Sequence, residues 1–410
     1  MAKEAYLGVS AKARSIAKIY IGVGAKARRV TAGYIGVGGV ARCFYKLVRY
    51  GHYELGDRLA AYPTYKRTCV AGAYTDDLAV FAGGGYNAGG EDEFLDEYVI
   101  YRGDTVESQG TIGEKNLWLG ALIYNSDGKT VKYAVFFPNK YLVNGVAFDN
   151  DGTKRRFRLT GPQIYYCPLK QSQTYKHAVC MEEDNLLGSS NKTAMVYGYN
   201  AALTEVVMAK FTDCDTRTYG HIGQLGTGIG AGLICPNNEA AAPYEDYKAT
   251  IIDPDNYTQT TISLVSDREY HDCVGKYGLP MTGFALNQSS MSEEVIDRET
   301  YTKIMVKLKN HWPGGGGFDA AACAPMVRHD VAVLAFADSS NGRMSINSLS
   351  IELTQETVGT SMLSGQPVRD SGWALSGPNT MLQVCGSAGN TSETHGNPTD
   401  YVRAFNWVEP

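Results

Sequence analysis

The sequence predicts an all-β fold in a chain of two dissimilar parts. Three observations carry that expectation. A β-prone phrase recurs with a period of fourteen residues in the first 47. Gly (46), Tyr (28) and Phe (12) are abundant in the 410 residues, and Asn, Asp, Ser and Thr clusters punctuate the rest at short intervals, the composition of many short strands joined by turns. Beyond residue 60, strand-rich segments return at a nearly constant spacing. A hydrophobic content of 44% is ample for a buried core.

The opening units are YLGVSAKARSIAKI from Tyr6, YIGVGAKARRVTAG from Tyr20 and YIGVGGVARCFYKL from Tyr34. The period superposes these tyrosines, the glycines at 8, 22 and 36, and Arg14, Arg28 and Arg42, which marks an internal repeat. In each unit a run of Tyr, Ile or Leu and Val reaches a small-residue pair (Ser10-Ala11, Gly24-Ala25, Gly38-Gly39) and returns through Ala and Arg. This pattern predicts a strand, a two-residue turn and a strand. A helix over AKARSIAK conflicts with the glycines and valines around it. One such hairpin buries too little apolar surface to offset its chain entropy, so the repeats need a partner.

Charge separates the two parts. Residues 1–50 hold ten Lys and Arg against the single acid Glu4, a balance of +9, which leaves −14 for residues 51–410 out of a total of −5. The basic segment suits an acidic counterpart, and the acidic body argues against nucleic acid as its partner. The nine cysteines are dispersed without a CxxC pair and read as buried free thiols. No apolar run approaches a membrane span, and the basic N-terminus lacks the apolar core of a secretory signal. The expectation is a protein made in a cytoplasm and not inserted in a membrane.

Tandem units of the YIGVGGKAR type, here YIGVGAKAR and YIGVGGVAR, resemble the segment that opens many tail and other structural proteins of phages and prophages of Gram-positive hosts. The first unit departs from it at SAKARS. The resemblance covers roughly residues 1–47 and implies a virion component held to the particle by its N-terminus. Tyr6, Arg14, Tyr20, Arg28, Tyr34 and Arg42 would be the docking positions, other virion proteins the partners, and oligomerisation would run through the arm.

In the body, TCVAGAYTDDLAVFAGGGYNAGG (68–90) followed by DEYVIYRGDTV (96–106) resembles one blade of a Kelch-like β-propeller, with the glycine run allowing a sharp exit from the second strand. Small-residue strands then recur around Ala71, Ala121, Val179, Ala231, Ala285, Ala322 and Ala374. Their intervals suit four-stranded blades except for a shortened one between Ala285 and Ala322. The expected architecture is a repeat arm over 1–50 and a propeller of about seven blades over 51–410, with residues 45–60 available to complete the last blade. Strands of a β-sandwich pair would carry the same alternation.

Chemistry is sparse. The seven histidines show no metal-ligand spacing, no GxSxG elbow occurs, and GTGIGAG (226–232) reads as a turn. NSDGKT (125–130), DNDGTK (149–154) and DPDNYT (253–258) hold carboxylates spaced for calcium, but none continues into an EF-hand loop, and each is first of all a hairpin turn. Arg102-Gly103-Asp104 reads as a turn between strands. His311-Trp312-Pro313, followed by four glycines, is the candidate surface-binding loop, of a kind that contacts carbohydrate or protein. No catalytic residue, metal or cofactor is expected. The functional expectation is a virion structural protein of tail-fibre or receptor-binding type. The alternatives are a head fibre or capsid decoration protein and, from another class, a glycan-cleaving propeller enzyme.

Overall fold

The computed structural model describes residues 6–408 apart from 10–11, 16–19, 24–25, 30–31, 38–39, 47–51, 68–69, 89–90, 114–116, 139–143, 160–169, 185–191, 215–221, 238–247, 264–268, 282–289, 310–318, 321–330, 339–342, 351–354, 363–370 and 389–396. Among the described residues all regular structure is β. His52–Val408 forms one compact unit, and Met1–Gly51 with Glu409–Pro410 forms another.

In the smaller unit Tyr6–Val9 pairs with Lys12–Ser15, Tyr20–Val23 with Lys26–Arg29, and Ala32–Val37 with Val40–Lys46, all antiparallel. The innermost pairs, Val9 with Lys12, Val23 with Lys26 and Val37 with Val40, leave two residues to each turn. The turn residues themselves lie outside the described residues. Each hairpin is a separate two-stranded sheet.

The larger unit contains seven four-stranded antiparallel sheets among the described residues. The first is Ala71–Tyr74, Leu78–Ala82, Glu97–Arg102 and Thr105–Thr111. The second is Leu117–Tyr124, Val131–Pro138, Asn144–Phe148 and Lys154–Arg158. The third is Lys170–Gln173, Ala178–Asp184, Lys192–Tyr199 and Glu205–Cys214, and the fourth Gly223–Leu225, Gly232–Asn237, Lys248–Ile252 and Gln259–Ser263. The fifth is Glu269–Val274, Tyr277–Met281, Ser290–Asp297 and Lys303–Lys309, and the sixth Asp319–Ala320, Val331–Asp338, Arg343–Ser350 and Gln355–Met362. The seventh takes Gly372–Leu375, Thr380–Val384 and Val402–Val408 from the end of the chain and its outer strand, His52–Arg58, from the beginning.

Each sheet is a meander, and neighbouring sheets touch chiefly through their first strands. Leu117–Tyr124 lies beside Ala71–Tyr74 and Lys170–Gln173, Gly223–Leu225 lies beside Lys170–Gln173 and Glu269–Val274, and Gly372–Leu375 lies beside Ala71–Tyr74. This is the plan of a β-propeller. The first strands crowd to the point that glycine is required: a Cβ on Gly72 would overlap the Trp373 carbonyl, and one on Gly120 the Gly72 carbonyl. Burial falls outward along the first sheet. Leu78–Ala82 is buried at every residue because sheets cover both its faces, whereas Thr105–Thr111 is exposed at nearly every one. That gradient explains why the second strands LAVFA and YAVFF of the first two sheets read as continuous apolar runs and their fourth strands, TVESQGT and KRRFR, as polar ones. The largest core cluster spans the seventh, first and second sheets. In it Trp373 stacks on Phe405 at 5.5 Å, and Tyr101 and Phe136 meet Phe81 and Phe148 edge-on. Each fully buried side chain of this kind contributes about 1.5–3 kcal/mol.

The positions of the sheets correct the sequence reading in one respect. Ala71, Ala121 and Ala374 do fall in first strands, but Val179 lies in a second strand and Ala231 directly precedes one. Ala285 and Ala322 lie outside the described residues. The first strands of the third and fourth sheets are KQSQ and GQL, short and without β-branched residues, so the pattern skipped them. Counted from true first strands, which begin at residues 71, 117, 170, 223, 269, 319 and 372, the anomalous short interval disappears.

Candidate functional site

In a four-stranded meander the turns after the first and third strands lie at one end of the sheet, and the connections after the second and fourth lie at the other. The two ends of this body differ in kind.

At the first end the turn after the third strand is built the same way in four successive sheets. Asp149, Asn200, Asp253 and Asp297 each use Oδ1 to accept two backbone N–H bonds from residues two to four positions ahead. Each also donates its own N–H to the carbonyl of a following threonine, at 2.9–3.2 Å. The residue before that threonine has positive φ: Gly152, Leu203, Tyr257 and Tyr301. These are Asx turns, and Asp127 does the same in NSDGKT, accepting from Lys129 N, Thr130 N and Thr130 Oγ1. Those bonds hold the Asp127 carboxyl below the usual carboxylate range. Of the carboxylates considered for calcium, Asp127, Asp149 and Asp253 are thus engaged within their own turns. Replacing Asn200 with Ala removes the acceptor for two N–H groups and is expected to cost about 1–2 kcal/mol in urea unfolding; an unchanged midpoint would mean the turn holds without it.

The same end clasps neighbouring sheets together. Asn150 joins the first two, accepting from Thr75 Oγ1 (2.7 Å) and Asp77 N (3.0 Å) and donating to Asp77 Oδ2 (2.7 Å). Lys132 Nζ reaches the Ala201 carbonyl at 2.9 Å. Tyr175 and Lys176 both donate to Asp255, and Arg298 Nη1 donates to Thr227 O at 2.5 Å. Arg102, of the Arg-Gly-Asp triplet, is held by Glu107 at 2.6 Å, and Gly103 takes a positive φ in the hairpin turn.

His177 lies behind the Lys176–Asp255 clasp, 5% exposed and 6.0 Å from the Tyr257 ring. Burial, with Lys176 adding to it, brings its pKa down to about 4 against the opposing pull of Asp255. The neutral ring is the folded form, so acidification protonates the unfolded chain first. Stability should therefore be complete above about pH 6.5 and fall between there and pH 4, by about 2–3 kcal/mol from this residue. Urea unfolding at pH 7.5 and 4.5 measures it, and His177→Gln should lack that part of the loss.

At the second end the connections are longer. A hairpin, Gly85–Ala88 with Glu91–Phe94, is inserted between the second and third strands of the first sheet, and Ser387–Ala388 pairs with Asn397–Pro398 at the matching place in the seventh. Arg67 anchors this end. Fully buried, it donates from Nη1 to Gly83 O (2.8 Å), from Nε to Tyr65 O (3.1 Å) and from Nη2 to Thr64 Oγ1 and to Glu97 Oε2 (2.5 Å). Its guanidinium lies over the Tyr62 ring, and its backbone bonds Thr399 and Gly386. Beside it Tyr65 is 66% exposed, a large aromatic surface at the same junction.

Near the axis Gln173 Nε2 donates to Gln224 Oε1 at 2.9 Å, joining the third and fourth sheets in a fully buried setting. Deep burial pushes the Cys235 and Cys385 thiols and the Tyr62 hydroxyl far up, so none is an activated nucleophile at neutral pH.

The predicted docking residues fall on hairpin strands. Tyr6 stands opposite Ser15, Arg14 opposite Leu7, Tyr20 opposite Arg29, Arg28 opposite Ile21, Tyr34 opposite Cys43 and Arg42 opposite Ile35. His311 and Trp312 lie outside the described residues, in the segment joining the fifth sheet to the sixth. No protein-family model matches the chain, and no curated protein matches it. Solved structures do. The β-propeller domain of the Trilobed protease from Pyrococcus furiosus is 8% identical with a TM-score of 0.48, over 85% of this chain and 95% of that one. BBS1N, solved in complex with ARL6DN, is 11% identical with a TM-score of 0.47, over 88% and 98%. Oligogalacturonate lyase in complex with manganese is 11% identical with a TM-score of 0.45, over 88% and 99%. Each is a likeness at low identity and low superposition score.

The arginine anchor and the exposed Tyr65 were not singled out by the sequence. Arg67 stands in YKRTCV as one cation among several, and only its contacts separate it from Lys66.

Proposed function

We propose that the chain is a structural, non-enzymatic component of a bacteriophage virion. Residues 1–50 form a basic arm of three hairpins that fastens to other virion proteins. Residues 51–410 form a seven-bladed propeller, closed by His52–Arg58, that is presented outward for contact with a host surface carbohydrate or protein. The observation that carries this reading is the fourteen-residue repeat of paired strands, each hairpin too small to persist alone, in a segment of charge +9 ahead of a body of charge −14. Several weakly docking units in one arm, on a symmetric particle, convert weak contacts into durable retention. The end of the body with long connections is the better candidate for host contact, because binding residues concentrate on loops held by a rigid scaffold. The opposite end is used up in turns and clasps.

Immunogold electron microscopy on virions of a phage encoding the chain tests the assignment. Label at the tail tip or fibres is the expected result, and label on the head would replace the receptor-binding role with decoration. A chain lacking residues 1–47 should be absent from particles. Its incorporation at full copy number would refute the attachment role.

A further inference from the structure

We propose that Arg58, Arg403 and Tyr401 form a binding site for an oxyanion, phosphate or carboxylate, at the junction where His52–Arg58 joins the seventh sheet. Arg58 and Arg403 stand directly opposite each other in the ladder between His52–Arg58 and Val402–Val408. Directly opposed residues project to the same face, and like charges so placed destabilise the pair. Both guanidinium groups lie over one ring: Cζ of Arg58 is 5.0 Å and Cζ of Arg403 5.5 Å from the Tyr401 centroid.

The site is built as well as charged. Arg403 is only 8% exposed, its Nε has no hydrogen-bond partner, and neither arginine makes an ion pair among the described residues. Arg403 does hydrogen-bond to Tyr401. A ring face offsets only part of the cost of withdrawing a cation from water. Arg67 in the same part of the fold shows the contrast, since every one of its nitrogen groups has an acceptor and a carboxylate neutralises it. Arg58 is exposed, so an anionic group reaching in from solvent meets one open guanidinium and one buried beside it. Guanidinium groups present planar forks of donors that match phosphate and carboxylate oxygens. The ligand class is a small oxyanion or an anionic polymer bearing phosphate or acidic sugars. The inference does not depend on the virion assignment.

The test uses the full-length protein, with sodium phosphate and sodium glucuronate each compared with sodium chloride at matched ionic strength, by calorimetric titration and thermal unfolding. Saturable binding and a rising melting temperature are expected with at least one of the two. A preference for phosphate points to a phosphate-bearing ligand, and a preference for glucuronate to an acidic glycan. Arg58→Gln should weaken binding by about tenfold or more while melting in chloride as the parent does or higher, because a like-charge pair has been relieved. Arg58→Lys, which keeps the charge and loses the fork, should fall between. If neither anion shifts melting beyond chloride, or if Arg58→Gln binds as tightly as the parent, the site is not there.

Discussion

Removal of residues 1–51 is expected to leave a body that melts at the temperature of the same unit in the intact chain, whereas removal of residues 1–60 is expected to abolish its cooperative fold. The two truncations differ by nine residues: the first ends at the unit boundary and the second removes the strand that follows it. His52–Arg58 is the outer strand of the seventh sheet, paired with Val402–Val408 from Arg58–Arg403 through His52–Val408, and it also lies beside Gln355–Met362 of the sixth. Without it Val402–Val408 becomes an open edge, which invites pairing with other chains, and Gln355–Met362 of the sixth sheet loses the strand beside it. The loss is a large part of the roughly 5–15 kcal/mol that holds a domain together. Circular dichroism melts and size-exclusion chromatography distinguish the outcomes. A soluble, cooperatively melting 61–410 fragment would show that the junction is dispensable. Restoration of the fold on adding a peptide of residues 48–60 would confirm that the strand itself is what the shorter chain lacks.

Replacing Arg67 with Met should cost about 3–5 kcal/mol, the range for removing one partner of a buried ion pair. The substitution strands Glu97 and leaves the carbonyls of Gly83 and Tyr65 without their donors. It also removes the cation over Tyr62 at the join between the seventh and first sheets. Glu97 is 24% exposed at its side chain, so water can recover part of its solvation and the lower end of the range is the better expectation. Guanidinium unfolding of Arg67→Met, and of the double variant with Glu97→Gln, gives the coupling. The second change should restore part of the loss, because it removes the stranded charge. A double variant no more stable than the single one would place the cost in the unpaired carbonyls instead.

How much of this was legible from residues alone depends on whether letters or contacts carry the information. The fourteen-residue period announces paired strands because a two-residue turn between β-prone runs is a local signal. LAVFA and YAVFF announce buried second strands, since a strand covered on both faces must be apolar throughout. KQSQ and GQL announced nothing: strands near a crowded axis can be polar, and here Gln173 and Gln224 are joined by a single amide hydrogen bond across two sheets. The Asx turns at Asp149 and Asp253 were visible as acid-rich turns, but those at Asn200 (NAALT) and Asp297 (DRETYT) share a backbone geometry rather than a spelling.

The strand class, the apolar character of the buried second strands LAVFA and YAVFF, and the division into a basic segment and an acidic body are written in the residues themselves, because they follow from local propensity, side-chain period and charge. Pairing in three dimensions set where each sheet begins, that residues 52–58 belong with residues 402–408, and that a carboxylate neutralises Arg67 whereas, among the described residues, none pairs with Arg58 or Arg403. Those facts arise from pairing across hundreds of residues, where the partner that completes a strand or a charge is set by topology and leaves no mark in the neighbouring letters.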